Sequence, residues 1–363
     1  MSERKRLDYL DMAKGIGILL VVIGHLQGKD IFALSPYILP VCTWIFSFHM
    51  PLFFIISGML IHHKKDLEKD LKVLVKKRVR GIMIPYFCFS ACYISVVLYA
   101  LIIERSIMPG TLFVNLWYVL STYGMSVLWF LPTLFFGELL FLAVSKNRSI
   151  KISVAVLLLL TVLASLGAWG LQQFTYDTPL LERLHEFAIV LLRPILAATF
   201  IAIGYYAFYL FREHNKIQIK ELLLALILLL IGICFVDQNG GVDFRSLVQK
   251  NLFFYYLCAV CGSFGIILLC KNCKPIRILK YYGVNSLIIM AVHNNSKVLY
   301  GAMNLAMYMN QFVTRAKGYV FYAIIFLVIM LFSTCMIELI NRCFGFMVGK
   351  PWFLSKRFTK KEI

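Results

Sequence analysis

Long apolar runs recur along almost the whole of this 363-residue chain, and they leave few folds open to it. A hydrocarbon core of about 30 Å is crossed by roughly 20 residues of helix, and only helices and closed barrels satisfy their backbone polar groups there. The strands of a barrel would alternate apolar and polar residues, whereas these runs are continuous. With 61% hydrophobic and only 15% charged residues, the chain is predicted to be an all-α integral membrane protein.

The predicted fold is a bundle of about ten transmembrane helices. Most of the 37 Lys and Arg residues fall at the N-terminus, in the even-numbered connections and in the C-terminal tail. Positive charge accumulates on the cytoplasmic side, so we expect both termini to be cytoplasmic and the protein to be multi-pass in the cell (inner or plasma) membrane. The predicted spans are 12–28, 40–61, 82–103, 126–145, 152–171, 186–210, 220–236, 252–270, 284–300 and 319–345.

Residues 1–363 are expected to form a single membrane domain, with its core at about 8–345, because no polar stretch is long enough for a separate soluble domain.

The formal net charge of +19 favours contact with anionic membrane lipids or an anionic ligand. Nucleic acid is not expected as a partner, because the basic residues are spread over short loops. Cys270 and Cys273 form a CxxC pair without a second such pair, so no metal site is predicted. Oligomerisation is left open.

The first span, from Asp11 to Gln27, is an apolar helix that carries three ionisable residues. Such residues are costly inside a membrane and indicate a functional site. At about 100° per residue, Lys14 lies roughly 20° and Asp11 about 40° from His25, so the three share one face. Lys14 and His25 are separated by roughly 16 Å along the axis. Asp11 and Lys14 could instead be interfacial anchors that reach back to water, which the short His25 side chain cannot do.

His49 lies in the outer half of the second span, at a depth comparable with that of His25, and Pro51 follows it. Proline within a helix frees backbone carbonyls, which must then be buried in protein or face water. Two histidines at this depth predict a water-filled cavity. The structural alternative for His49 is a hydrogen bond between helices.

Two further charged residues lie within spans: Glu138 about midway through the fourth and Arg193 in the outer half of the sixth. Each is costly unless it is paired or hydrated. They could pair with each other or with Lys14 and Asp11, and the sequence does not assign the partners. His293, in the ninth span, fits a structural and a functional role equally.

An amphipathic helix on the cytoplasmic surface is predicted from His62 to Arg80, where basic residues flank an apolar stripe at helical spacing. This segment leads into the third span. It could anchor the protein to anionic lipids, and Arg78 and Arg80 could bind phosphate oxygens of a cytoplasmic ligand. The two interpretations are compatible.

Taken in order, several of these motifs resemble the acyltransferase 3 family, the bacterial membrane O-acyltransferases that modify sugars and polysaccharides. In the family's first span a basic residue, usually Arg, precedes a catalytic His by ten intervening positions; here Lys14 precedes His25. Lysine keeps the charge of arginine but lacks its planar fork. The segment 48–58 resembles the second-span motif. The other resembling segments are 77–86, 129–136 and 283–293.

The resemblance implies that an acyl group, acetyl by preference, passes from a cytoplasmic acyl-CoA to a hydroxyl of a glycan or lipid-linked sugar reached from the outer side. Acetyl-CoA or another acyl-CoA would then be a donor substrate, with no permanently bound cofactor. The O-acetylase branch fits because no appended domain follows residue 345. The coenzyme's phosphates would lie against Lys77, Arg78 and Arg80.

His25 would be the general base of this reaction, because a histidine with an ordinary pKa of about 6.5 can take the hydroxyl proton. His49 would shape the cavity or share the proton. The developing negative charge would be stabilised by Lys14 or Arg193. The residue that orients a partner would be Asp11 or Glu138.

Two other functions remain compatible with polar residues inside spans. A transporter or exporter of a glycan or lipid-linked sugar would mark its path in the same way, although the sequence shows no internal repeat. A non-catalytic relative could serve as a membrane scaffold, and the presence of both His25 and His49 weighs against that role.

Overall fold

The computed structural model describes residues 6–26, 38–211, 217–294, 296–310 and 319–350. Within these ranges the protein is helical apart from loops and a two-stranded hairpin of β1 (Val242–Asp243) and β2 (Val248–Gln249). Seven of the helices are long and apolar enough to cross a membrane. The prediction of a helical, multi-pass membrane protein is therefore confirmed.

The described helices differ widely in length, from one turn to 29 residues. Four of them precede residue 100, namely α1 (Asp8–His25), α2 (Ile38–His63), α3 (Leu71–Arg78) and α4 (Ile84–Tyr99). The middle of the chain forms α5 (Pro109–Leu120), α6 (Phe130–Ser145), α7 (Ile150–Leu171), α8 (Pro179–Ala207), α9 (Ile219–Cys234) and α10 (Val236–Asn239). The remainder forms α11 (Leu252–Lys271), α12 (Arg277–Val284), α13 (Ser286–Val292), α14 (Ser296–Asn310) and α15 (Tyr319–Cys343).

Seven of the ten predicted spans coincide with helices of membrane-crossing length and hydropathy. The other three differ in kind: α1 carries three charged residues, α9 has only 16 residues, and the ninth predicted span is divided among α12, α13 and α14. The total of ten spans stays a prediction. So does the cytoplasmic side of both termini, which lie outside the described residues.

The prediction of one amphipathic helix from His62 to Arg80 was wrong in its bounds. α2 continues to His63, and the chain then turns through Lys65, which has a φ of 51°. Helix resumes at Leu71, where the Asp70 side chain accepts a hydrogen bond from the backbone N–H of Lys72 at 2.6 Å and so caps the new N-terminus. From Leu71 the helix runs without a break through two π-helical segments, Val79–Met83 and Ala100–Glu104.

The chain forms two compact units from interleaved segments. The first unit comprises Met1–Phe53, Phe211–Val242 and Gln249–Ile340; the second comprises Phe54–Leu210, Asp243–Val248 and Asn341–Ile363. The expectation of one membrane domain over the whole chain stays a prediction.

In the first unit, α1 packs against α11, α12 and α13. Its contact with α12 is made by backbone. A Cβ atom on Gly15 would overlap the carbonyl oxygen of Leu279, and one on Gly283 would overlap that of Asp11. Small residues at such crossings let helices approach closely in a membrane. This contact fixes the rotation of α1 about its own axis, and with it the direction of the face that carries the ionisable residues.

In the second unit, α8 packs against α6 and α7. The C-terminal half of α2 crosses α8 at a second pair of glycines. A Cβ atom on Gly58 would overlap the carbonyl oxygen of Ile201, and one on Gly204 would overlap that of Ile55. Glu138 of α6 and Arg193 of α8 are both buried in this unit.

Candidate active site

Three histidines of the first unit form a chain of ring contacts that runs through Phe46. The His25 ring lies 5.0 Å from the His293 ring, edge to face, and 6.0 Å from the Phe46 ring. Phe46 in turn meets His49 edge to face at 5.0 Å. His49 and His293 are buried, whereas His25, the last residue of α1, is partly exposed. Of the three, His25 is therefore the one that a substrate can reach most readily.

Each of these histidines is fixed by the helix that carries it. Nδ1 of His25 lies 2.8 Å from the carbonyl oxygen of Val21, and Nδ1 of His49 lies 2.9 Å from that of Ile45. His293 has the same arrangement with Ile289 at 3.0 Å. A carbonyl oxygen only accepts hydrogen bonds, so Nδ1 carries the proton and Nε2 carries the lone pair. This is the tautomer that a general base at Nε2 requires.

His293 was the histidine whose role the sequence left open. It is 2% exposed, and its Nε2 has no hydrogen-bond partner among the described residues. The sequence signals for it were the polar residues His293 and Asn294 inside a predicted span and the resemblance of segment 283–293 to a family motif. Its position against the His25 ring makes it part of the same cluster.

The other two ionisable residues of α1 form an ion cluster at the opposite end of the helix. The buried Asp11 carboxylate accepts from Lys14 Nζ at 2.7 Å and from Arg6 Nε. This answers the question of pairing that the sequence left open for Asp11 and Lys14. Eleven residues of helix separate Lys14 from His25, about 16 Å of rise. The structure therefore does not bring Lys14 or Asp11 to the His25 ring.

In the second unit, Glu138 pairs with Arg78. Arg78 Nε donates to Glu138 Oε2 at 2.5 Å, and Arg78 Nη2 donates to Asp66 Oδ2 at 2.9 Å. Ser57 Oγ donates to the other oxygen of Glu138. Arg78 is 7% exposed and Glu138 8% exposed. Sequence reasoning missed Ser57 and Asp66, because nothing local distinguishes them from other polar residues.

Asp66 lies in the turn between α2 and α3, outside the predicted spans. Burial raises the pKa of its carboxyl group, but hydrogen bonds from Lys69 and Arg78, with their charges, outweigh burial and hold the pKa below its usual range. Asp66 is therefore ionised at neutral pH. It supplies the second negative charge that holds the Arg78 guanidinium in place.

Lys77 and Arg80 differ from Arg78 in being exposed. Arg80 Nε donates to the carbonyl oxygen of Gly349 at 2.9 Å. Of the three basic residues predicted to bind the coenzyme's phosphates, only these two have side chains at the surface.

Arg193 lies in the interior of the second unit and is 1% exposed. Its Nη2 donates to the carbonyl oxygen of Tyr123 at 3.0 Å, and its guanidinium carbon lies 5.0 Å from the Tyr123 ring centre and 5.5 Å from that of Trp129. Arg193 and Glu138 therefore do not pair with each other.

Within the described ranges, no group of His, Cys, Asp and Glu residues is arranged to hold a metal ion.

Comparison with known proteins identifies a family for most of the chain. Residues 7–339 match the family described as the acyltransferase domain, acyltransferase 3. A stretch of 81 residues is 44% identical to the nodulation protein NolL of Mesorhizobium japonicum. That stretch covers 21% of this chain and 20% of NolL, so the chain spans about a fifth of the length of this relative. No solved structure was found to match the chain.

Proposed function

Because this chain belongs to the acyltransferase 3 family, we propose that it is a membrane O-acyltransferase of the cell membrane. It transfers an acyl group, acetyl by preference, from acyl-CoA to a hydroxyl group of a cell-surface glycan or of a lipid-linked precursor. Membership of this family favours the acyltransferase over the glycan transporter that the polar residues alone would also fit.

The observation that carries the proposal is the hydrogen bond from His25 Nδ1 to the Val21 carbonyl. It keeps the lone pair at Nε2 of a histidine that is partly exposed within an apolar helix. As the acceptor oxygen attacks the thioester carbonyl carbon, Nε2 takes the hydroxyl proton. The carbon–sulfur bond then breaks, the imidazolium returns the proton to the departing sulfur, and the products are the acyl ester and free coenzyme A.

The donor binds at the start of the third span. The exposed side chains of Lys77 and Arg80 meet the coenzyme's phosphates, since both are cations that bind phosphate oxygens. Arg78 acts as a positioning residue between Glu138 and Asp66. On α1, Asp11 has a similar positioning role, because Arg6 and Lys14 both bind it.

Replacement of His25 tests the proposal. His25→Ala and His25→Gln should each lower glycan acylation by roughly 10²-fold or more, the range for a lost general base. Donor affinity should stay unchanged, because the phosphates bind at Lys77 and Arg80. Surface glycans of cells that express each variant at matched membrane levels would be analysed by mass spectrometry, which reports both the acyl mass and the acceptor.

The matched control is His185→Gln, which removes a histidine of α8 that stacks on Tyr176 at 4.2 Å. It should leave acylation unchanged. Acylation close to the wild-type level in both His25 variants would remove His25 as the base. Unmodified glycans in cells with the wild-type protein, together with impaired glycan export in its absence, would favour the transporter instead.

A further inference from the structure

Arg193 is a buried cation whose hydrogen-bonding capacity is only partly used. Its guanidinium donates one hydrogen bond, to the carbonyl oxygen of Tyr123. Its Nε and Nη1 atoms are buried and have no partner among the described residues. A buried arginine is costly unless its charge and its N–H groups are satisfied. The Arg193 side chain therefore has N–H groups that the described residues leave unused, as a site for a bound anion would.

A second arginine, Arg245, lies at the same place. It belongs to the connection between β1 and β2, and its guanidinium carbon is 5.4 Å from the centre of the Tyr123 ring that Arg193 also contacts. Its Nη2 is 3.5 Å from the carbonyl oxygen of Gly124, and its Nε is buried without a partner in the described part of the chain. Two cations thus share one aromatic ring.

No nearby carboxylate pairs directly with either arginine, although the charge of Asp243 attracts Arg193. Asp243 accepts from the backbone N–H of Arg245 at 2.9 Å and from Ser246 Oγ at 2.7 Å. The Glu186 carboxylate accepts a hydrogen bond from Arg183 Nη1 at 2.6 Å. No carboxylate of the described residues forms an ion pair with either Arg193 or Arg245. Like charges in such a place repel each other, and an anion would relieve the repulsion.

The aromatic side chains around the two cations are held rigidly. Gly124 has a φ of 88°, and a Cβ atom there would overlap the backbone of Trp129, so this turn admits glycine alone without rearrangement. The Trp129 ring stacks on Phe244 at 5.9 Å with an angle of 16° between the planes. Tyr123 is partly exposed, whereas Trp129 and Phe244 are buried. These contacts fix the positions of the rings, and Tyr123 is the one of the three that reaches the surface.

We propose that Arg193 and Arg245 bind an oxyanion, a carboxylate or a phosphate, carried by the acceptor sugar. Planar guanidinium groups suit both anions, because they donate two N–H bonds to adjacent oxygens. The partly exposed Tyr123 ring provides a surface on which a sugar can lie. The assignment of the anion to the acceptor rests on the proposed acyltransferase function; the anion site itself rests on the two arginines.

The binding experiment uses the purified full chain in a neutral detergent without acyl-CoA, so that it reports on the site and not on turnover. The probes are glucose 1-phosphate, glucuronic acid and glucose, measured by isothermal titration calorimetry. Both anionic probes should bind with saturation and glucose should not. Arg245→Gln and Arg193→Gln should each weaken the anionic probes by roughly ten- to a hundredfold, the effect of a lost charge-assisted hydrogen bond.

Arg148→Gln is the matched control, because it removes the same charge from an exposed position of the second unit. It should leave binding unchanged. Arg245→Gln decides the result if Arg193→Gln does not fold, since Arg245 is only partly buried. Equal binding of glucose and glucose 1-phosphate, or anion binding that both arginine variants retain, would overturn the proposal.

Two outcomes separate this proposal from the function on which it rests. If bicelles containing phosphatidylglycerol compete with the probes and phosphatidylcholine bicelles do not, the anion is a lipid headgroup and the assignment to the acceptor is wrong. If the probes bind through Arg193 and Arg245 but no acceptor is acylated, the anion site stands and the acyltransferase function fails.

Discussion

Arg78 and its neighbours Lys77 and Arg80 carry the same charge but have different surroundings. Arg78 is enclosed and binds two carboxylates, Glu138 and Asp66, whereas Lys77 and Arg80 face outward. Removal of one member of a buried ion pair leaves the other charged and unpaired. At the residue scale, a change at Arg78 should therefore affect folding first, and changes at the other two should affect ligand binding.

Arg78→Gln should lower the stability of the protein by about 3–5 kcal/mol, the range for a broken buried ion pair. Lys77→Gln combined with Arg80→Gln should leave the thermal midpoint within a few degrees of the wild type and weaken acyl-CoA binding. That loss should be larger at low salt, because salt already screens part of the wild-type attraction. The measurements are the thermal midpoint and the donor affinity of purified protein at two ionic strengths.

Lys220→Gln combined with Lys274→Gln is the control for this prediction, since both lysines are exposed and the loss of charge is the same. It should change neither quantity. Unaltered donor affinity in the Lys77 and Arg80 variant would mean that these residues only anchor the protein to lipid. A stable Arg78→Gln variant would show that Glu138 and Asp66 tolerate the loss of their shared partner.

Residue-level contacts were predictable from the sequence only where they are local. Helical periodicity placed Asp11 and Lys14 on one face of α1, and the structure pairs them. The partner of Glu138 is 60 residues away along the chain, at Arg78, and that contact depends on how α6 packs against the start of the third span. The sequence alone offered several equivalent partners for it.

At the scale of elements, helices of both units approach each other closely through backbone contact at glycines. Gly58 and Gly204 each face a backbone carbonyl oxygen of the opposing helix, so α2 and α8 touch without intervening side chains. Gly170, near the end of α7, has no atom within 4 Å of the position that its Cβ would occupy. The three glycines therefore allow a comparison between contact and intrinsic helix preference.

Gly58→Ala and Gly204→Ala should each destabilise the protein by about 1–3 kcal/mol, the range for overpacking, because the two helices must move apart. Gly170→Ala should leave stability unchanged or raise it by up to about 1 kcal/mol, since alanine favours helix. Thermal midpoints in the same detergent would provide the comparison. Equal effects at all three positions would show that helix preference, not contact, decides the outcome.

At this scale, the sequence predicted the long helices better than their ends. Continuous apolar runs located the seven helices of membrane-crossing length. The start of the third span was missed, because the cap at Asp70 begins a helix that charge and hydropathy had assigned to a separate surface segment. The hairpin of β1 and β2 was also missed, since two-residue strands leave no pattern of alternation.

For the whole molecule, the orientation in the membrane rests on the distribution of basic residues. Lys72→Cys in α3 and Lys151→Cys in α7 place thiols at exposed positions outside the predicted spans, on the side that we predict to be cytoplasmic, and Gln173→Cys places one in a predicted outer loop. A membrane-impermeant maleimide should label only Gln173→Cys in intact cells and all three after permeabilisation. The parent protein, with its own ten cysteines, gives the background. Labelling of Lys72→Cys in intact cells would invert the topology.

The bond between His25 and the Val21 carbonyl links the chemistry of the ring to the persistence of a single helical turn. The proton stays on Nδ1 because that carbonyl lies one turn earlier in α1, at the very end of the helix. If this last turn unwinds, the ring loses both its orientation and the reason for its proton to remain on Nδ1. Local fraying at one helix end and proton transfer at the ring are therefore coupled equilibria, and whatever secures the end of α1 also sets the fraction of molecules that are ready to react.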